Sequence, residues 1–155
     1  MAAASQVAAF LSKYDPAVAK QARAALAGVR AQLPGATEIV YDNYNALVIG
    51  FGASERQSDA FLSIAVYPRW VNLFFFPGTG LPDPMKLLQG SGSTVRRIPL
   101  RDGITVEHPA VRELIAIAHR RADAHIDPRG RRRIVIKTVS AKQRPRKPSA
   151  AARPR

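Results

Sequence analysis

Hydrophobic residues recur every three or four positions in three stretches of the chain, which is the spacing of amphipathic helices. These stretches begin at Ser5, Pro16 and Pro109. Ser5 and the Asp15-Pro16 pair are typical helix starts, because a short polar side chain caps the first turn and proline fits the first helical position. The apolar positions of the second stretch continue to Leu33. We therefore predict three helices.

The segment between the second and third helices has the short, β-branched or alternating apolar runs of strands. "AFLSIAVY" and "VNLFFF" flank the tight connection "PRW", which favours an antiparallel hairpin. Asp83 and Pro84 have the form of a helix start, so we expect a short helix over "PMKLLQ". The other expected strands are "TEIVY", "NALVIGF" and "TVRRIPL". This order predicts an α+β fold, a small antiparallel β-sheet with the N-terminal and C-terminal helices packed on one face.

Charge divides the chain after Asp127. Residues 1–127 carry 13 Lys and Arg against all 11 Asp and Glu, a net charge of +2, whereas residues 128–155 carry 11 Lys and Arg and no acid, a net charge of +11. We predict one α+β domain over residues 1–127 and a basic C-terminal extension over residues 128–155. Residues 133–139 can form a short strand, and the remainder, which has no large apolar residue, is expected to be disordered.

The composition limits the chemistry. The chain contains no Cys, which excludes disulfides, thiolate nucleophiles and metal sites built on its own thiolates. It has no basic segment before an apolar leader, and no apolar run approaches the roughly 20 residues of a membrane span. We expect a cytoplasmic protein without a membrane span. Neither a nucleophile elbow nor a close pair of acids stands out, so we predict no catalytic residue.

One long stretch resembles a known family. The residues "VYDNYNALVIGFGASERQSDAFLSIAVYPRWVNLFFFPGTGLPDPMKLLQGSGSTVRRIPL", preceded by "LPGATEIVY", resemble the YdhG-like family of small proteins, long described as a domain of unknown function. The resemblance spans roughly residues 10–125. It implies a small α+β domain with an antiparallel sheet. Because one branch of the family has been described as frataxin-like iron chaperones, it also implies iron as a candidate cargo; no other cofactor is expected.

Residues around two expected turns form a candidate ligand-binding site. Tyr41, Asn43 and Tyr44 belong to the turn "YDNYN", and Trp70 lies at the tip of the expected hairpin. Together they can line a groove. The alternative roles are structural, because Asn side chains stabilise turns and a Trp can cover one end of a core.

The glycine-rich stretch "GSGSTVRRIPL" contains Arg96 and Arg97, whose side chains point to opposite faces of an expected strand. It lacks the Lys and the following helix of a phosphate-binding loop, so a helix end followed by a turn is the simplest interpretation. The alternative is a small-anion site, because a guanidinium fork binds carboxylate or phosphate. A buried Arg here would need a partner, and Glu38 is our candidate.

The basic extension predicts affinity for nucleic acid or another polyanion through counterion release, with low sequence specificity. Acidic proteins and anionic lipids are alternative partners, and a merely solubilising role stays open. The candidate contacts are Arg131, Arg132, Arg133, Lys142, Arg144, Arg146 and Lys147.

Ligand-type side chains cluster near the end of the third helix. His119 and Asp123 are four residues apart, as are Asp123 and Asp127, and His125 lies between the last two. Such pairs can start a metal site. They lie mostly outside the apolar stripe, so we expect a solvated polar face and no metal site. His108 is expected to occupy the cap before the helix.

Our first hypothesis is a non-enzymatic YdhG-like binding protein that holds a small ligand or a protein partner, while its basic extension contacts polyanions. The first alternative is the intracellular iron-delivery chaperone implied by the resemblance. The second alternative is an enzyme whose machinery is not recognisable in the sequence.

Overall fold

The computed structural model describes residues 2–148, which form three α-helices and a six-stranded sheet. A 3₁₀ turn, Gln57–Asp59, precedes the third strand. The helices are α1 (Ala3–Leu11), α2 (Pro16–Gln32) and α3 (Pro109–Arg121). The strands are β1 (Thr37–Asp42), β2 (Leu47–Gly52), β3 (Ala60–Val66), β4 (Val71–Phe75), β5 (Arg96–Pro99) and β6 (Arg133–Val139).

The strands lie side by side in the order β5-β4-β3-β2-β1-β6. All neighbours pair antiparallel except β1 and β6, which are parallel. The predicted α+β fold is confirmed. The β3–β4 hairpin is also confirmed, and the Tyr67 N–H donates to the Trp70 carbonyl at 2.9 Å to close its turn.

Alternation along the strands divides the sheet into a helix-covered face and an open face. Leu62, Ile64 and Val66 of β3 belong to the hydrophobic core, whereas the intervening Ser63 and Ala65 lie on the other face. Apolar residues of all three helices join this same core. None of the three helices therefore covers the opposite face, which is available for clefts.

Tyr14, between α1 and α2, connects the helical layer to the sheet. Its hydroxyl donates to the Val66 carbonyl at 2.8 Å and accepts from the Leu47 N–H at 3.2 Å. Burial raises the pKa of Tyr14 to about 12, and the nearby Arg146 guanidinium opposes this rise. The phenol is therefore a neutral, hydrogen-bonded part of the core.

Two local predictions differ from the structure. "PMKLLQ" does not form a helix, because the Asp83 carboxylate accepts the backbone N–H groups of Leu87 and Leu88 at 2.9 and 2.8 Å and so holds an irregular turn. Ser5 lies inside α1, whose N-cap is Ala2. In contrast, Asp15 and Pro16 occupy the predicted first positions of α2.

Residues after Asp127 extend the domain rather than leaving it. β6 adds an edge strand beside β1 and places Ile134 and Ile136 against the core. Residues 140–148, which we call the C-terminal segment, then cross the β1–β2 turn, where the Arg144 N–H donates to the Tyr44 carbonyl at 2.9 Å. This differs from the disorder expected after residue 139. Residues 149–155 lie outside the described residues.

Candidate nucleic-acid interface

The six predicted ligand-binding residues do not form one site. Tyr41 and Asn43 line a cleft of about 510 Å³ on the open face of β1 to β3. Trp70 and Arg97 line a separate groove beside the β3–β4 turn. The ring of Tyr44 instead contacts the guanidinium of Arg144 in the C-terminal segment.

Arg96, the sixth predicted residue, closes the glycine-rich loop on itself. Its Nη1 donates to the carbonyls of Gly92 and Val95 at 2.6 and 2.8 Å. These bonds use the guanidinium locally, so they favour the turn interpretation of "GSGSTVRR" over a small-anion site at Arg96.

Glu38 is not the partner of Arg96 or Arg97. Its fully buried carboxylate accepts from Nε and Nη2 of Arg30, both at 2.8 Å, and Arg132 Nε lies 3.8 Å away. The predicted pairing is wrong because three strands separate β1, which carries Glu38, from β5. The fork geometry expected for an Arg near Glu38 is nevertheless present, with a different Arg.

The side chain of Trp70 stands exposed on the β3–β4 turn. It is 46% exposed, and the ring of Tyr67 lies tilted against it with the ring centroids 5.8 Å apart. Two depressions of about 730 and 430 Å³ share these two residues, and we call their union the Trp70 groove. It is lined by Asn45, Tyr67, Pro68, Arg69, Trp70, Asn72, Phe74, Gln89, Arg97, Pro99, Arg101, Arg144, Pro145, Lys147 and Pro148.

The lining of the Trp70 groove carries five cations and no acid among the described residues. The cations are Arg69, Arg97, Arg101, Arg144 and Lys147. Arg101 pairs with Asp102, which lies outside the lining, at 3.9 Å, and both side chains are well exposed, so the pair is weak. The groove thus surrounds an aromatic ring with positive charge.

Strand alternation builds the floor of the groove. Leu73 of β4 and Ile98 of β5 enter the core, so their neighbours Phe74 and Arg97, which are directly opposite each other, lie on the open face. The predicted alternation of consecutive strand residues therefore explains why the Arg97 side chain lies on the open face. Alternation does not predict whether the Trp70 side chain is buried or exposed, because Trp70 lies in a turn.

Arg146 differs most from its predicted role. We expected a polyanion contact, but Arg146 is 5% exposed, and its Nη2 donates to Asp42 Oδ1 at 2.9 Å. Its Nη1 also donates to the Tyr44 carbonyl at 3.3 Å, and its guanidinium lies 5.8 Å from the ring centre of Tyr14. A buried guanidinium needs such partners. Arg146 therefore anchors the C-terminal segment and is not available to a polyanion in this arrangement.

The other predicted polyanion contacts are exposed. Arg144 and Lys147, which flank Arg146 in the sequence, line the Trp70 groove. Arg133 pairs with the exposed Glu55 at 2.9 Å. The other three predicted contacts, Arg131, Arg132 and Lys142, are also exposed.

The histidines near the end of α3 have structural partners. His119 stacks on Phe61 with the ring centroids 5.4 Å apart, and its Nε2 accepts the Ile126 N–H at 3.0 Å. Burial lowers the pKa of His119, and His125 nearby adds to the effect. His119 is thus half-buried and not on the solvated face we expected. His108 caps α3, as predicted, because its Nδ1 accepts the Ala110 N–H.

Residues 2–148 contain no group of three or more His, Asp or Glu side chains placed to hold a metal ion. Iron cargo stays a prediction from the family resemblance, and titration of the anaerobic protein with Fe(II) tests it.

No helix within residues 2–148 has the length and apolar character needed to cross a membrane.

Comparison of the chain with family models, with curated proteins and with solved structures finds no match. The YdhG-like resemblance accordingly stays a prediction.

Proposed function

We propose that this protein binds single-stranded nucleic acid in the cytoplasm through the Trp70 groove. The observation that carries this proposal is an exposed Trp70 surrounded by five cations, with no acid in the described lining. Proteins that hold single strands combine aromatic rings, on which bases stack, with a cationic path for the backbone. Because stacking accepts every base, we expect little sequence preference.

The predicted basic extension takes part in two ways. Arg144 and Lys147 line the groove directly. Arg131, Arg132 and Lys142 lie exposed on the same basic stretch and add to the attraction for phosphates at longer range. The proposed activity is binding and involves no catalytic step.

Titration with a short oligonucleotide tests the proposal directly, because Trp70 is the single Trp of the chain. Stacking of a base on Trp70 should quench its fluorescence. If all five cations meet phosphates, the slope of log affinity against log salt should be about −3.5, at about 0.7 per phosphate, which is a loss of about 100-fold between 50 and 200 mM salt. Quenching that is independent of salt, or no quenching, contradicts the proposal.

Variants locate the binding surface. With a fluorescently labelled oligonucleotide, Trp70→Ala should weaken binding about 5-fold to 150-fold, the range measured for one stacked base. Arg97→Gln should reduce the salt slope by about 0.7. The matched control is Arg23→Gln, which removes an exposed cation from α2 on the other side of the sheet. Equal losses in Arg23→Gln and Arg97→Gln would indicate general charge attraction without a groove.

A further inference from the structure

A second cleft lies on the open face, next to the Trp70 groove. It measures about 510 Å³, covers β1 to β3 and is bounded by the turn before β3 and by Phe76. Ser63, on its floor, is the direct cross-strand neighbour of Phe74 in the Trp70 groove. We call it the open-face cleft, and the residues that matter here are Tyr41, Asn43, Gly50, Gln57, Ser63 and Phe76.

The open-face cleft has an uncharged lining, in contrast to the cationic lining of the Trp70 groove. No Asp, Glu, Lys, Arg or His is among its described lining residues. Its polar groups are the carboxamides of Asn43 and Gln57 and hydroxyls such as that of Ser63, and its aromatic rings are those of Tyr41 and Phe76. A charged ligand would leave its charge without a partner here. The lining therefore favours an uncharged ligand with flat surfaces and hydrogen-bonding edges.

The hydroxyl of Tyr41, which lines the cleft, is buried and has no hydrogen-bond partner among the described residues. Buried polar groups in folded proteins are normally paired, so an unpaired one calls for an explanation. Because protein atoms cover this hydroxyl, a carbonyl or ring-nitrogen acceptor in the cleft would become its partner through a shift of the Tyr41 ring.

Gly50 leaves the space that a ligand would fill. It lies in the middle of β2, opposite Ile39 on one side and Ser63 on the other, and all three line the cleft. A Cβ atom at Gly50 would meet nothing closer than the Ala60 Cβ, at 3.7 Å. A larger side chain at Gly50 would therefore be accepted by the backbone and would occupy the cleft.

We propose that the open-face cleft binds an uncharged planar heterocycle with an amide-type edge, the chemistry of a nucleobase. Aromatic rings offer faces for stacking, and carboxamides pair in two-point fashion with base edges. Such a ring can come from a free nucleoside or from one base of a strand that lies in the Trp70 groove. The proposal does not depend on the Trp70 groove, because a free nucleoside has no phosphate to meet its cations.

Amide NMR spectra of the full chain test the proposal with the four common nucleosides, each added up to about 10 mM, a concentration suited to a weak site. We expect at least one to shift the signals of Gly50 and Ser63. In a parallel titration, an oligonucleotide that shifts these signals while no nucleoside does identifies the strand as the source. If neither source shifts them, the proposal is overturned.

Two variants make the assignment specific. Gly50→Leu should weaken the binding at least tenfold, whereas the matched control Gly92→Leu, where a Cβ meets nothing within 4 Å, should not change it. Tyr41→Phe keeps the ring and should weaken binding about threefold to tenfold by loss of one hydrogen bond. It removes an unpaired hydroxyl, so it is expected to fold even if Gly50→Leu does not. Unchanged binding in Tyr41→Phe, together with equal binding by the two leucine variants or loss of folding in Gly50→Leu, overturns the proposal.

Ligand binding in the open-face cleft and strand binding in the Trp70 groove are measured by different signals, so each proposal can fail without the other. Quenching of Trp70 fluorescence reports strand binding in the Trp70 groove, and the amides of Gly50 and Ser63 report the open-face cleft. Gly50→Leu should leave the quenching and its salt dependence intact.

Discussion

Replacing Arg146 tests whether a buried ion pair anchors the C-terminal segment. In Arg146→Met, a shorter, neutral and unbranched side chain leaves the Asp42 carboxylate, which is 1% exposed, with Lys13 Nζ at 4.0 Å as its remaining charged neighbour among the described residues. Removing one partner of a buried pair costs about 3–5 kcal/mol. We expect about 3 kcal/mol in the free energy of unfolding, the lower limit, because local release of the segment lets water reach Asp42.

A double-mutant cycle separates the pair from its surroundings. Asp42→Asn combined with Arg146→Met leaves neither charge of the pair, so its cost should fall short of the sum of the single costs by about 2 kcal/mol. Urea unfolding followed by circular dichroism gives the free energy of unfolding of the wild type, the two single variants and the double variant. The matched control is the exposed pair of Arg133 and Glu55, where Arg133→Met should cost less than about 1 kcal/mol.

An additive cycle would show that Asp42 and Arg146 do not interact energetically and would refute the proposed anchor. An unfolding cost of Arg146→Met no larger than that of Arg133→Met would also refute it, since the buried pair would then contribute no more to stability than the exposed pair.

Three further predictions concern single side chains. Tyr14→Phe should lower the free energy of unfolding by about 1–3 kcal/mol at pH 7 through loss of its hydroxyl bonds. Because the folded pKa of Tyr14 is raised to about 12, wild-type stability should also fall as the pH rises from about 10 to 12, and Tyr14→Phe should reduce that fall in urea titrations. The pKa of His119 is lowered in the fold, so its contribution is present above pH 6.5 and is lost as the pH falls; the stability difference between wild type and His119→Gln should narrow between pH 7 and pH 5. Trp70→Ala should change the unfolding free energy by only about 1 kcal/mol, because the side chain is nearly half exposed.

Elements with strong local patterns could be predicted from the sequence. The stripe from Pro16 to Leu33 and the start of α3 at Pro109 follow from helical spacing and proline placement. The β3–β4 hairpin follows from two apolar runs around the short connection "PRW". In each case the determining residues are close in sequence.

The composition of the candidate site could be predicted only in part. Trp70 and Arg97 were both identified, but their grouping with Arg69 and Arg101 depends on strand order, a long-range property. The buried role of Arg146 left no local signal, because it stands among other cations and its partner Asp42 lies 104 residues away in the sequence. A run of like charges does not reveal which member is buried.

The C-terminal segment links stability to binding at one residue. Arg146 holds the segment, and the segment carries Arg144 and Lys147 into the Trp70 groove. Arg146→Met should therefore remove two of the five cations from the path of a bound strand, and the salt slope should fall by about 1.4, at about 0.7 per phosphate. Trp70→Ala should weaken binding without changing that slope, because stacking releases no counterion. If Arg146→Met is destabilised and yet keeps the full slope, the segment supports the fold and takes no part in binding.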